Sequence, residues 1–131
     1  MLRRQKHTQT EKGILMVYDE GQLLEMVMEM IMHGGDAKSS AMEAIHFAKS
    51  NNFDDAIEKL ADSEDAIEKA HKSQTKLLTK EASGDTIELS LLMIHGSDHL
   101  MTAVTVKDLA AEIIDVYRKM DGQDITEDSE E

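Results

Sequence analysis

The chain has no cysteine, no proline and no tryptophan, and only seven glycines in 131 residues. Without cysteine there can be no disulfide, thiolate zinc site or cysteine nucleophile. Without proline and with so little glycine, the sequence lacks the punctuation of a loop-rich or all-β chain. Cations are scarce as well: 14 Lys and Arg stand against 27 Asp and Glu, a formal charge of −13. That balance argues against a nucleic-acid binder, whose affinity comes from neutralising phosphates. It equally disfavours long-range attraction of free nucleotides or an anionic bilayer. No apolar run reaches the ~18 residues of a membrane span. Arg3, Arg4 and Lys6 are not followed by the apolar segment of a secretory signal. At 14.7 kDa the chain has the size of one domain able to bury a core without staples. A soluble cytoplasmic protein is expected.

What is present is organised around three helical blocks. Residues 1–13 are polar and basic without periodicity, and a flexible N-terminal segment is expected there. Residues 121–131 hold six acids and no base, the composition of a disordered acidic tail. Residues 14–120 are expected to form one helical domain. Block one, about Asp19 to Ser50, carries Leu23, Val27, Met30 and Ile31 at helical spacing, with Met26, Met28 and Met32 on its other sides. A helix apolar nearly all round needs cover on more than one side, which points to a subunit contact. The Gly34-Gly35 pair predicts a kink or break, with Asp36 available to cap a second segment. Block two starts at Asn52 or Asp54, runs to about Glu81, and has the stripe Ile57, Leu60, Glu64, Ile67, His71, Gln74 and Leu78. Block three is expected from about Thr86 to Met120, after a turn at Ser83-Gly84-Asp85. Three long helices joined by short turns pack most simply as an all-α, antiparallel up-down-up bundle.

The chemistry concentrates in His95-Gly96-Ser97-Asp98-His99. His95, Asp98 and His99 stand at i, i+3 and i+4, on one side of a helix. Gly96 costs about 1 kcal/mol relative to Ala in a helix, which suggests a close approach to the backbone there. Histidines in bundles are often simply packed or hydrogen-bonded, and His7, His33 and His46 are read so. Paired imidazoles could also chelate zinc, but Gly96 occupies the place of the general-base Glu in H-E-x-x-H proteases. A second alternative is a di-metal carboxylate bundle using Glu43, His46, Glu68 and His71, two Glu-x-x-His pairs. A third is a histidine phosphotransfer domain, although Asp98 occupies that motif's lysine position. A fourth uses a histidine as nucleophile, since neutral imidazole attacks phosphorus well near pH 7. With no phosphate-cradling loop in the sequence, the phosphoryl group would arrive on another protein.

The stretch His95-Gly96-Ser97-Asp98-His99-Leu100-Met101-Thr102, with Glu68-Lys69-Ala70-His71-Lys72-Ser73-Gln74-Thr75, resembles the lactose/cellobiose (chitobiose) type IIA component of the sugar phosphotransferase system. Gly35-Asp36-Ala37-Lys38-Ser39 and Asn52-Phe53-Asp54 add to the likeness, which spans roughly residues 20–119. Ser97 stands where that family usually has Gln. The resemblance implies a homotrimer of three-helix subunits. It implies that His95 accepts a phosphoryl group from phosphorylated HPr and passes it to a cysteine of a IIB component. IIB in turn phosphorylates a β-linked disaccharide entering through the IIC permease. It further implies that Asp98 lies on the threefold axis, where three copies hold one divalent metal per trimer, with magnesium the natural candidate. His71, Gln74 and His99 are expected near the site, Gln74 and His99 as hydrogen-bond donors to phosphoryl oxygens.

Overall fold

A computed structural model describes residues 18–123, and the expected flexible segment 1–13 and most of the acidic tail lie outside them. The described chain is all-α: α1 spans Glu20–Lys49, α2 Phe53–Ala82 and α3 Leu91–Met120. Local chemistry sets the ends. At Asp19, the carboxylate accepts from Gln22 N at 2.8 Å while the Gln22 carboxamide accepts from Asp19 N at 2.9 Å, a reciprocal capping box. Ser90 caps α3 by accepting from Met93 N at 3.1 Å. Between α1 and α2 the chain reverses through Asn51 at φ 58°, a left-handed conformation that Asn tolerates better than most residues.

The expected kink or break at Gly34-Gly35 is not a break: α1 continues through both glycines to Lys49, and Asp36 lies inside the helix rather than capping a new one. The pair serves packing instead. A Cβ at Gly34 would lie 3.0 Å from the His99 carbonyl carbon, so α1 and α3 approach there almost backbone to backbone. The third helix begins at Leu91, five residues later than Thr86. The intervening segment stays non-helical because Ile87 inserts into the apolar cluster of Met26, Val27, Met30 and Leu77 and Ser90 supplies the cap.

Helix α1 is the centre of the bundle, packing along both partners, while α2 and α3 touch little. Helices α1 and α2 are antiparallel, as Ser63 Oγ donating to Ala37 O (2.7 Å) and Ser73 Oγ donating to Glu29 Oε2 (2.6 Å) demonstrate. Helix α3 runs parallel to α1: Gly96 meets Val27, His99 meets Gly34, and Ile114 clusters with Ala44 and Ala48. The seams are built from small residues, with Ala37, Ala41, Ala44, Ala48, Ala56 and Ala70 all at 0 % exposure.

This composition rotates the buried face of α2 by about one residue from the stripe read in the sequence. Ala56, Ser63, Ile67, Ala70, Ser73 and Leu77 face inward, while Ile57, Glu64, His71 and Leu78 are exposed. Leu100, at 0 % exposure, is fully enclosed between Ala37, Ile67, Ala70 and Ala103. Leu100→Ala should cost about 2–5 kcal/mol, because alanine neighbours cannot collapse into the void; denaturant unfolding measures it. Among the described residues no helix is long and apolar enough to cross a membrane.

Candidate functional site

The fold places His95 on the outer side of α3, exposed, with neither ring nitrogen in a hydrogen bond. His99, one turn on, stands beside it: the ring centroids are 4.4 Å apart at 76°, edge to face. Its Nδ1 is buried and has no hydrogen-bond partner, so packing rather than hydrogen bonding at that nitrogen orients the ring. A buried nitrogen left so costs about 1–3 kcal/mol, the kind of exception that gathers at sites serving chemistry.

Both histidines stand in a stretch where two glycines let α3 press tightly against α1. On α1's side, Gly34 lies against the His99 backbone. On α3's side, a Cβ at Gly96 would meet Val27 O at 3.1 Å and Val27 Cγ1 at 3.2 Å. Gly96→Val should therefore push the two helices apart, costing about 1–3 kcal/mol by overpacking. Imidazole chemical shifts of His95 and His99 should move with it, whereas Gly35→Val, with nothing within 4 Å of its Cβ, should leave them in place.

The other expected site residues divide. Asp98 is exposed on the same side of α3 as His95 and makes no hydrogen bond or ion pair. Gln74, half-buried on α2, donates through Nε2 to Ser97 Oγ at 3.1 Å. Residues 95 and 97 differ by about 200° around the helix axis, so Gln74 and His95 lie on different flanks of α3. His71 is exposed on α2, and no hydrogen bond or ion pair joins it to His95. The stripe read in α2 did put Gln74 on a face turned to the bundle, but its pairing with Ser97 was not legible, because no local rule pairs residues of two different helices.

The Glu43, His46, Glu68 and His71 set is not gathered. Antiparallel register puts Glu43 beside Lys59, which it holds at 3.0 Å, while Glu68 pairs with Lys72 at 3.5 Å. Glu43's hydrogen bond and charge raise the Lys59 ammonium above the ordinary lysine value. The centres of the two Glu-x-x-His pairs stand about 12 residues apart along the bundle, roughly 19 Å. Among the described residues no group of three or more His, Cys, Asp or Glu could hold a metal ion.

Residues 25–118 match the model of the family described as the lactose/cellobiose-specific IIA subunit of the phosphotransferase system. The chain belongs to this family. It is 50% identical over 99 residues to the lichenan-specific phosphotransferase enzyme IIA component of Bacillus subtilis, covering 76% of this chain and 90% of that one. The cellobiose-specific enzyme IIA of Bacillus anthracis superposes with a TM-score of 0.75 at 41% identity, over 82% of this chain and 97% of that structure. The IIA(chitobiose) of Escherichia coli, solved as a complex with HPr, gives a TM-score of 0.67 at 34% identity, over 76% and 96% of the two chains. As a IIA component the protein acts in phosphoryl transfer within the phosphotransferase system, with the helices described above as its whole matched domain.

Proposed function

We propose that this IIA component carries the phosphoryl group on His95, taking it from phosphorylated HPr and delivering it to a cysteine of a IIB component during uptake of a β-linked disaccharide. The observation that carries the reading is the open ring of His95, whose nitrogens no hydrogen bond occupies. A neutral ring nitrogen attacks phosphorus, the bond from phosphorus to HPr breaks, and the electron pair returns to the donor. Positioning and charge stabilisation do most of the work in such transfers. His99, in edge contact with His95, is placed to donate to a phosphoryl oxygen. HPr as donor is supported by the Escherichia coli IIA(chitobiose) complex, and the sugar class by relatives named for lichenan, lactose and cellobiose. Phosphoenolpyruvate, its kinase and HPr should together label the protein at His95, located by mass spectrometry.

The working unit is a homotrimer. Ile94, Met101, Leu109, Val116 and Met120 are each more than half exposed and follow helical spacing along one side of α3. That stripe is an apolar seam awaiting cover. Asp98 lies within it. Three Asp98 carboxylates gathered at an axis would repel one another. A hard divalent cation, magnesium by its oxygen preference, would neutralise them. Asp98, exposed within this apolar stripe and without a hydrogen bond or ion pair in its own chain, fits such a shared ion better than a site within one subunit.

A further inference from the structure

Four consecutive apolar residues, Ile14-Leu15-Met16-Val17, stand just ahead of Tyr18, the first of the described residues. We propose that this quartet seats its side chains in an apolar groove between the start of α1 and the start of α3, so that the chain's own N-terminal segment covers that end of the subunit. The seat does not depend on the chemistry at His95.

The groove follows from how α3 begins. Ile87 turns into the core and Ser90 caps the helix, which leaves Leu89 and Leu91 on the surface at 73 % and 83 % exposure. Opposite them on α1 stands Leu24, itself half exposed. Between the two helix starts lies a space of about 260 Å³, lined by Glu20, Leu23, Leu24, Val27, Leu89 and Leu92 among others. A single exposed leucine is ordinary, but several gathered around a concavity mark a surface that another apolar group covers.

Position, reach and composition select the occupant. Tyr18 is held in place: its ring packs with Leu23 against the core cluster, and its carbonyl accepts from Lys80 Nζ at 3.3 Å. The same ammonium lies 5.8 Å from the ring centroid. The chain thus enters α1 at a fixed point, and Glu20, two residues on, already lines the groove. Four residues span at most about 13 Å, enough to cross one helix of about 10 Å diameter. Exposed apolar groups at the far end of α3, such as Val116 and Met120, are out of that range. The quartet is aliphatic like the lining, whereas Thr8-Gln9-Thr10-Glu11-Lys12 before it is polar. A second groove at this end, between α2 and α3, has Gln74, Ser97 and Asp98 in its wall and nothing from the first turn of α1. Because the quartet is tethered at the groove's edge, docking is intramolecular. Leu92 in the lining is one turn ahead of His95, so the seated quartet extends the apolar surface beside that imidazole.

The absence of cysteine makes engineered cross-links unambiguous. Each of Ile14→Cys, Leu15→Cys, Met16→Cys and Val17→Cys is combined with Leu24→Cys in the full chain and mildly oxidised. A bridge requires the two Cα atoms to come within about 7 Å. At least one pair should close within the chain about tenfold faster than the same residue paired with Leu78→Cys, an exposed position of the α2–α3 groove. Equal rates, faster closure with Leu78→Cys, or bridges mainly between two chains each overturn the seat. In the unsubstituted protein, nuclear Overhauser contacts should join methyl groups of residues 14–17 to those of Leu24, Leu89 or Leu92, and their absence overturns it as well. Neither readout involves phosphoryl transfer, so failure of labelling at His95 and failure of this docking are separate results.

Discussion

His95→Ala protein incubated with phosphoenolpyruvate, its kinase and HPr should take up no phosphate, while its unfolding free energy stays within about 0.5 kcal/mol of the parent. The stability expectation follows from exposure: the His95 ring is exposed, stands in a T-shaped contact with His99 and forms no hydrogen bond. The activity expectation follows from chemistry. Of the two histidines on this face His95 is the exposed one, with neither ring nitrogen in a hydrogen bond, whereas His99 is half-buried with Nδ1 enclosed, and Asp98 would give an unstable acyl phosphate. His99→Ala is the informative companion, because it should slow transfer without abolishing the label. Uptake at full rate by His95→Ala would end the assignment and move the search to another nucleophile.

Chelation should have the second large effect. The proposed trimer, three chains of 14.7 kDa, should lose mass toward the single chain when divalent ions are stripped, and regain it on adding magnesium. Removing a shared cation leaves three carboxylates facing one another at close range with nothing between them. Asp98→Leu replaces those charges by apolar groups in the seam of Ile94 and Met101, so that variant should remain trimeric in chelator. Replacing buried charge by well-packed hydrocarbon is often neutral or stabilising. A parent protein whose mass ignores chelator would remove the axial role of Asp98. Native mass spectrometry with and without chelator reads oligomer and metal together.

Much of this was legible in the residues. The bounds of α1 near Asp19 and Ser50, one of the two starts offered for α2 (Asn52 rather than Asp54) and the three-helix class all follow from turn residues and long periodic runs. Helical spacing also placed His95, Asp98 and His99 on one side of α3. The misreadings share one cause, the dependence of sequence patterns on hydropathy. A seam made of Ala56, Ser63, Ala70 and Ser73 carries no hydropathy contrast, so the pattern puts the larger Ile57 and Leu78 on the inward face. Gly34-Gly35 carries the local signature of a break, and only the approach of His99's backbone explains why the helix persists. The start of α3 was displaced because Ile87 anchors an extended segment through a contact distant in sequence, which no local rule contains.

The alanine-lined spine of α1 carries a dynamic consequence. Because α2 and α3 each lean on α1 and scarcely on one another, either can loosen without the other, but neither survives its loss. Amide protons in the middle of α1, around Ala37 and Ala41, should be the slowest in the molecule to exchange with deuterated water, opening only when the whole subunit does. The outer ends of α2 and α3 should exchange early and separately, giving the α2–α3 cleft freedom to breathe while the two imidazoles, tethered to the slow spine, hold still.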